Sequence, residues 1–404
     1  MEFNPPKGTR DFLPEEMAKR RAVFDTCRAV FEKYGFGEVE TPAFESLELL
    51  TAKGSLGDEA VKDIYRFEDK SQRKLGLRYD LTVPMVRLFM SQKFSRPVKW
   101  YSMGKVWRYE EITKGRWREF SQCDVEIIGS PQPAADAEVL AVAIECLLSL
   151  GIKDIEVRIN SRKIMDAMAE KIGITRRDEV FRALDKLEKR GEKEVRKELS
   201  AFCLPDQIDK VLVFVKSSAK QAELEQIVSL LPGEYRKYVK PDLSIARGLD
   251  YYTGFVFETF VKSFENLGSV VSGGRYDKLI EKYGGESVPA TGFGLGSDRL
   301  AEIVNVQGAQ NPSVFIANVD APEKARELCY ALRSLGIASE TDLMGRSISK
   351  QFDYAGKKSV SYVVVIGEKE VKSGKAMLRD MTSGKEKPVA LDALAIRAAL
   401  RERR

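Results

Sequence analysis

Two stretches of this chain carry residue types that could do chemistry. The first runs from Arg96 to Arg118 and holds Arg96, Lys99, Lys105, Arg108, Lys114, Arg116 and Arg118, interleaved with Trp100, Tyr101, Trp107, Tyr109 and Trp117. Guanidinium forks match the oxygens of phosphates and carboxylates, and aromatic faces can stack on a base. The plainer alternative is a solvated basic face with its aromatics packed beneath. The second stretch runs from Ser287 to Leu300, where Gly292-Phe293-Gly294-Leu295-Gly296 precedes Ser297-Asp298-Arg299. It fails as a dinucleotide fingerprint, because the third glycine is out of place and no βαβ unit follows. No G-x-x-x-x-G-K-[ST] occurs either, so a P-loop does not hold any ATP. A strand packed closely on a helix accounts for the glycines. The arginine at the helix start then needs a reason, and an anionic ligand lying over the strand supplies one.

What the chain lacks narrows the chemistry further. Among 404 residues there is no histidine. That excludes Ser-His-Asp and Cys-His nucleophiles, His-ligated zinc or haem, and an imidazole base or switch near neutral pH. Catalysis must fall to carboxylates, arginines, lysines, tyrosines, thiols or the substrate itself. Cys27, Cys123, Cys146, Cys203 and Cys329 are widely spaced, which points to neither a disulfide framework nor a zinc site and suits a reducing cytoplasm. A net charge of +5 and 43% hydrophobic residues describe an ordinary globular chain with a core, of about 2 to 3 domains. No apolar leader opens the sequence and no run has the ~18 apolar residues of a membrane span.

The elements that must position these residues follow from periodicity. Met17, Phe24, Cys27, Phe31 and Tyr34 fall at helical spacing, ending before Gly35. The run 36–44 reads as an edge strand because of Pro42. From Arg66 to Gly129 the pattern is strand-like and aromatic, and 137–150 is a buried helix. Ile155, Val157 and Ile159 alternate as a strand. A charged, helix-favouring segment at 161–240 looks like an insertion, after which strand character returns at 253–260 and 269–272 and a helix starts at Ser297. Beyond the polar segment 307–312, strands at 314–317, 337–341 and 362–366 alternate with helices at 322–335, 347–355 and 391–400. That alternation predicts a small, mostly parallel α/β domain of about 90 residues.

In this order and at these separations the strings resemble those of class II aminoacyl-tRNA synthetases. Glu40-Thr41-Pro42 resembles motif 1. Val106-Trp107-Arg108-Tyr109-Glu110, a loop, and Arg116-Trp117-Arg118-Glu119-Phe120 resemble motif 2. Gly292 to Leu300 resembles motif 3. Arg247-Gly248-Leu249-Asp250-Tyr251-Tyr252-Thr253-Gly254 and Ser272-Gly273-Gly274-Arg275-Tyr276-Asp277 resemble the two signatures of histidyl-tRNA synthetases. Leu77-Arg78-Tyr79-Asp80-Leu81-Thr82 and Phe120-Ser121-Gln122-Cys123-Asp124-Val125-Glu126 fit the same family, and the tail from Pro312 resembles the anticodon-binding domain of class IIa enzymes. Tyr79-Asp80-Leu81 looks more like archaeal and eukaryotic members than bacterial ones. Tyr109 and Ser121 stand where the family often has histidine.

The resemblance implies an α+β catalytic domain over 1–306, with an antiparallel class II sheet and the 161–240 helical insertion, and an α/β anticodon-binding domain over 312–404. It implies ATP-dependent activation of histidine and its transfer to tRNA(His), with ATP and Mg2+ required, in a cytoplasmic homodimer without membrane contact. Arg108 would hold the α-phosphate and the substrate carboxylate, and Arg247 would reach the α-phosphate from the other side; these are the catalytic pair. Arg116 and Arg299 would bind the β- and γ-phosphates, and Phe120 would stack on adenine. Asp80, Thr82 and Gln122 would receive the α-ammonium. Glu126 would accept from an imidazole nitrogen, with Tyr251, Tyr252 and Tyr276 completing the pocket. No residue is assigned to a resident metal. Such a polar pocket rejects competitors by about 10⁴ to 10⁵ without editing. A non-catalytic, histidine-sensing regulatory subunit of ATP phosphoribosyltransferase is the alternative. Retention of the C-terminal domain and of the first histidine signature opposes it.

Overall fold

The computed structural model describes residues 3–52, 58–113, 115–217, 221–245, 251–305 and 313–401. These fall into two compact units, 1–305 and 306–404. In the first, the described strands are β1 (Gly37–Glu38), β2 (Phe44–Ser46), β3 (Arg66–Glu68), β4 (Lys74–Leu77), β5 (Val98–Trp107), β6 (Glu119–Ile128), β7 (Ile155–Ser161), β8 (Val239–Pro241), β9 (Phe255–Val261), β10 (Val271–Arg275) and β11 (Ala290–Gly296). Eight of them form one sheet in the order β1-β5-β6-β11-β10-β9-β7-β8, and β2-β4-β3 form a small second sheet.

The six central strands of the large sheet are antiparallel, as the sequence predicts, but both edge pairs, β1–β5 and β7–β8, are parallel. The sheet is therefore mixed. Parallel neighbours need a long crossover connection. The chain supplies one at 39–97 and another through the helical segment between β7 and β8.

Two helices back the sheet. Pro14–Lys33 starts with proline in its first turn, ends before Gly35 (φ +78°), and buries Val23, Cys27, Val30 and Phe31. Pro133–Ser149 is apolar almost all round, as a helix enclosed on every side must be, and buries eleven of its seventeen residues.

Within the stretch that reads as strand-like, Thr82–Met90 is instead a helix. A short apolar run rich in valine fits a buried helix as well as a strand, so periodicity does not separate them. The Asp80 carboxylate settles the start by accepting from the Val83 N–H at 3.0 Å. Pro84 falls in the first turn, where an N–H would lack an intrahelical partner anyway.

Between β7 and β8 lie helices Arg162–Ile172, Arg177–Leu184, Leu187–Leu199, Pro205–Val215 and Ala222–Ser229. The first four enclose a core of their own that includes Met165, Met168, Phe181, Leu184, Val195, Leu199 and Leu212, whereas Ala222–Ser229 packs on the helix Pro133–Ser149 and on β7.

In the second unit, β12 (Val314–Asn318), β13 (Ser339–Thr341), β14 (Tyr362–Ile366), β15 (Lys375–Asp380) and β16 (Glu386–Ala390) form a sheet in the order β13-β12-β14-β15-β16. The first three strands are parallel, and β15 and β16 add antiparallel. This sheet too is more mixed than alternation alone predicts. The charged 367–391 stretch has no clear period, and the short turn between β15 and β16 permits only antiparallel pairing. Alternate residues of β12 serve two cores, Val314 and Ile316 on one face, Phe315 and Ala317 on the other.

One arginine of the second signature is structural. Arg275 is 4% exposed and donates to Asp136 at 3.0 Å, Asp277 at 3.1 Å and the carbonyls of Ser130 and Gln132. It ties β10 to the helix Pro133–Ser149 behind the sheet. Arg275→Met leaves Asp136 buried and unpaired and should destabilise the protein by about 3–5 kcal/mol. Urea unfolding checks this, and a loss below about 1 kcal/mol, the size of an exposed pair, contradicts it.

Candidate active site

The two-residue period of β6 decides which of its side chains meet the cleft on one face of the large sheet. Phe120, Gln122, Asp124 and Glu126 line the cleft, while Cys123 and Val125 are fully buried on the side of the backing helices. Across from Glu126, Asp124 and Gln122 in the register stand Gly292, Gly294 and Gly296 of β11. A Cβ at Gly292 would collide with the Glu126 carboxylate. One at Gly294 would lie 2.9 Å from Gln122 Nε2 and 3.1 Å from Asp124 Oδ1. The alternating glycines are thus a demand for space over one face of the strand. The resulting cleft has a volume of about 300 Å³.

At one end of it, Glu126 is 1% exposed. Thr82 Oγ1 donates to its Oε1 at 2.6 Å and the Tyr276 hydroxyl donates to Oε2. Each oxygen keeps a further lone pair for a ligand. Burial pushes the Glu126 pKa up to about 8 against those two hydrogen bonds, with the Asp80 charge adding to the rise. Burial raises Asp80 as well, and it raises Asp124 well above the usual carboxylate range with help from Glu126 and Asp80. Tyr251 and Tyr276 meet edge to face at 5.6 Å, and Tyr252 packs on Tyr251 at 4.8 Å. The pocket is therefore walled by rings and floored by acids.

The other end is cationic. Arg108, at the start of the loop joining β5 and β6, donates to the Tyr79 carbonyl at 3.2 Å. Its guanidinium carbon lies 4.2 Å from the centre of the Tyr79 ring and 5.0 Å from that of Phe120. Arg299, on the helix Ser297–Ile303, donates to the Ser269 carbonyl at 2.6 Å. Burial, then the charges of Arg116 and Arg108, pull its pKa down. Three guanidiniums gathered at one end of the cleft form a site for a polyanion. The N-terminal segment braces the loop, since the Gly8 carbonyl accepts from the Arg118 N–H at 2.8 Å.

Asp80, Thr82, Arg108, Arg116, Phe120, Gln122, Glu126, Tyr251, Tyr252, Tyr276 and Arg299 all line this one cleft. Arg247 lies outside the described residues. The basic stretch divides between its two readings. Arg108, Arg116 and Trp117 face the cleft, whereas Arg96, Lys99 and Lys105 pair with Glu286, Glu138 and Glu119. Asp124, Ser272, Glu110 and Glu302 also line the cleft and carry no role in the sequence reading. For Asp124 the signal was present, because it shares the two-residue period of Gln122 and Glu126.

Comparison with known proteins agrees along the chain. A family model described as histidyl-tRNA synthetase matches residues 8–300, and one described as an anticodon binding domain matches 309–398. The histidine–tRNA ligase of Thermococcus kodakarensis is 39% identical over 95% of both chains, and that of Pyrococcus abyssi is 39% identical over 96% of both. The crystal structure of histidyl-tRNA synthetase from Nostoc sp. PCC 7120 covers all of both chains at 30% identity, with a TM-score of 0.84.

The buried acids set a pH dependence. Glu126 holds its proton to about pH 8 when folded, against an ordinary value of 4.5. The folded state therefore binds more protons between those values, and stability falls as pH rises through that window. Glu126→Gln removes this contribution. Urea unfolding of the ligand-free protein should favour the variant over wild type increasingly from about pH 5 to about pH 8. A difference that does not change with pH contradicts the buried-acid description.

Proposed function

The chain belongs to the histidyl-tRNA synthetase family, and from that premise we propose that it joins histidine to tRNA(His) at the expense of ATP. One observation supports this most strongly. A single cleft joins three guanidiniums to a ring-walled pocket in which a buried carboxylate keeps lone pairs free. The first suits a triphosphate, and the second suits an imidazole, whose ring nitrogens need partners once buried. The regulatory-subunit alternative is not favoured, because full-length ligases match the chain from end to end.

Activation forms a bond between a histidine carboxylate oxygen and the α-phosphorus of ATP and releases pyrophosphate. Positioning and stabilisation of oxygen charge suffice for this step. Arg108 neutralises the α-phosphate and the attacking carboxylate, Arg116 and Arg299 hold the β- and γ-phosphates, and Phe120 receives the adenine ring. Arg247 is assigned to the α-phosphate by its match to the family string. Glu126 accepts from the imidazole ring, with Thr82 and Tyr276 fixing its orientation, and Asp80, Thr82 and Gln122 surround the α-ammonium. Magnesium enters as part of the ATP complex. Among the described residues no group of three Cys, Asp or Glu side chains could hold a metal ion. Glu110 and Glu302, beside Arg116 and Arg299, would supply oxygen ligands next to those of the phosphates. In the transfer step no protein imidazole can take the proton of the tRNA hydroxyl, and an adenylate phosphate oxygen takes that role.

Residues 1–306, with the 161–240 insertion, act as the catalytic domain, and 312–404 contact the anticodon. The string Glu40-Thr41-Pro42 supports a homodimer by its likeness to motif 1. Cytoplasmic location fits the free thiols of all five cysteines. No described helix is long and apolar enough to cross a membrane.

Histidine-dependent exchange of pyrophosphate into ATP is the decisive assay, and its absence in folded protein with magnesium contradicts the function. Arg108→Ala should slow exchange by roughly 10² to 10³. Glu126→Ala should abolish histidine activation and leave ATP binding largely intact; an equal loss of ATP binding would make Glu126 a structural residue.

A further inference from the structure

The chain ahead of the first helix runs beside the cationic end of the cleft and grips it at two places. At the first, the Gly8 carbonyl accepts from the N–H groups of Arg118 at 2.8 Å and Glu119 at 3.4 Å. Gly8 has a φ of +88°, and a Cβ there would lie 2.6 to 2.9 Å from the side-chain carbons of Arg118. Only a glycine lets the backbone lie this close to the end of the loop joining β5 and β6. At the second, Arg10 lays its guanidinium over two rings. The guanidinium carbon is 4.6 Å from the centre of the Phe12 ring and 4.9 Å from that of Trp117, the residue of the loop that follows Arg116 and lines the cleft.

The same segment reaches the helix Ser297–Ile303. Arg10 Nη2 lies 4.0 Å from Glu302, whose carboxylate lines the cleft. The Phe12 ring also sits 3.8 Å under the guanidinium carbon of Arg20, and Arg20 pairs with Asp298 at the start of that helix. Loop and helix otherwise meet weakly here, since Arg299 Nε donates to the Gly115 carbonyl at 3.4 Å. Arg116 is 44% exposed in its side chain and pairs with Glu110 of its own loop. An ion pair within the loop does not fix the loop against the helix.

Two contacts compete to explain where Arg10 lies. The pair with Glu302 is long and both side chains are partly exposed, so it contributes little. The rings hold a guanidinium whose Nε is buried without a hydrogen-bond partner among the described residues. A buried donor left unmet is costly, and contact with two aromatic faces is the larger compensation. Resting on the reading of this cleft as an ATP site, we propose that Arg10 is a positioning residue for ATP. Wedged between Phe12 and Trp117, it sets the loop that carries Arg116 against the helix that carries Arg299. The two arginines then stand at one fixed spacing for the β- and γ-phosphates. Arg10 itself touches no substrate and acts through Trp117. The ring-walled pocket is at the other end of the cleft, so histidine is not affected.

Histidine-dependent exchange of pyrophosphate into ATP by the full chain, with each substrate varied in turn, tests this. Arg10→Ala should raise KM for ATP by roughly 3- to 10-fold and leave KM for histidine within about twofold. Arg10→Lys should behave like Arg10→Ala, because lysine keeps the charge near Glu302 and loses the planar contact with the rings. In a Trp117→Ala background, Arg10→Ala should add no further rise in KM for ATP. An unchanged KM for ATP, an equal rise in both KM values, full rescue by lysine, or additive effects of the two substitutions overturns the proposal while exchange by wild type stands. A wild type that exchanges nothing removes the reading of the cleft, and the role of Arg10 with it.

Discussion

The acids of β6 reach over a buried cleft because the strand beside them on one side, β11, presents no side chains there. Most of this site follows from that constraint on β6 and β11. Gln122, Asp124 and Glu126 stand opposite Gly296, Gly294 and Gly292, and a side chain at the last two positions would occupy the space of the acids or of a ligand. The opposite face of β6 must then provide the packing that the glycines forgo. Cys123 and Val125 do so, fully buried against the helices Pro14–Lys33 and Pro133–Ser149. The acids are themselves a burden on the fold, since burial raises the pKa of Asp80, Asp124 and Glu126 alike. Active sites commonly carry such a cost in stability, which a complementary ligand offsets when it binds.

Much of this was legible in the sequence. Long periodic elements such as the helix over 14–33 and the alternation after Pro312 needed only apolar spacing. The site residues were legible through the order and separation of the strings, which a basic loop or a glycine-rich strand taken singly does not supply. What escaped reading depends on partners distant in sequence. The helix Thr82–Met90 has the apolar, β-branched composition of a strand, and Asp80 and its burial decide the matter. Arg275 sits in a signature string beside Tyr276, yet it faces Asp136 behind the sheet while Tyr276 faces Glu126 in the cleft. Neighbours on a strand point to opposite faces, and a string alone does not say which face is the site. Asp124 is the converse, a cleft residue overlooked between two that were recognised.

The missing histidine has a structural counterpart at two positions where the family often carries one. Ser121 is 2% exposed and accepts from Arg20 at 2.7 Å. Arg20 also pairs with Asp298, and Ser297 donates to the Ser121 carbonyl at 2.9 Å. This network ties the first helix, β6 and the helix Ser297–Ile303 together beside the cleft. Tyr109 lies outside that network, stacked under Arg118 at 3.9 Å and edge to face with Tyr65 at 5.3 Å. Neither place needs an imidazole for its contacts. The ionic work of the cleft is left to guanidinium and carboxylate groups.

A chain without histidine allows a direct measurement of the pocket, because every imidazole signal in its complex with histidine comes from the bound ligand. Nitrogen-15 NMR of ring-labelled histidine bound to the full chain, followed across pH, reports the ring contacts. If Glu126 accepts from the ring, the bound imidazole titrates well away from its free value of about 6.5, and Glu126→Gln moves that titration. A bound ring that titrates as it does in water, with no response to Glu126→Gln, would contradict recognition of the imidazole by Glu126.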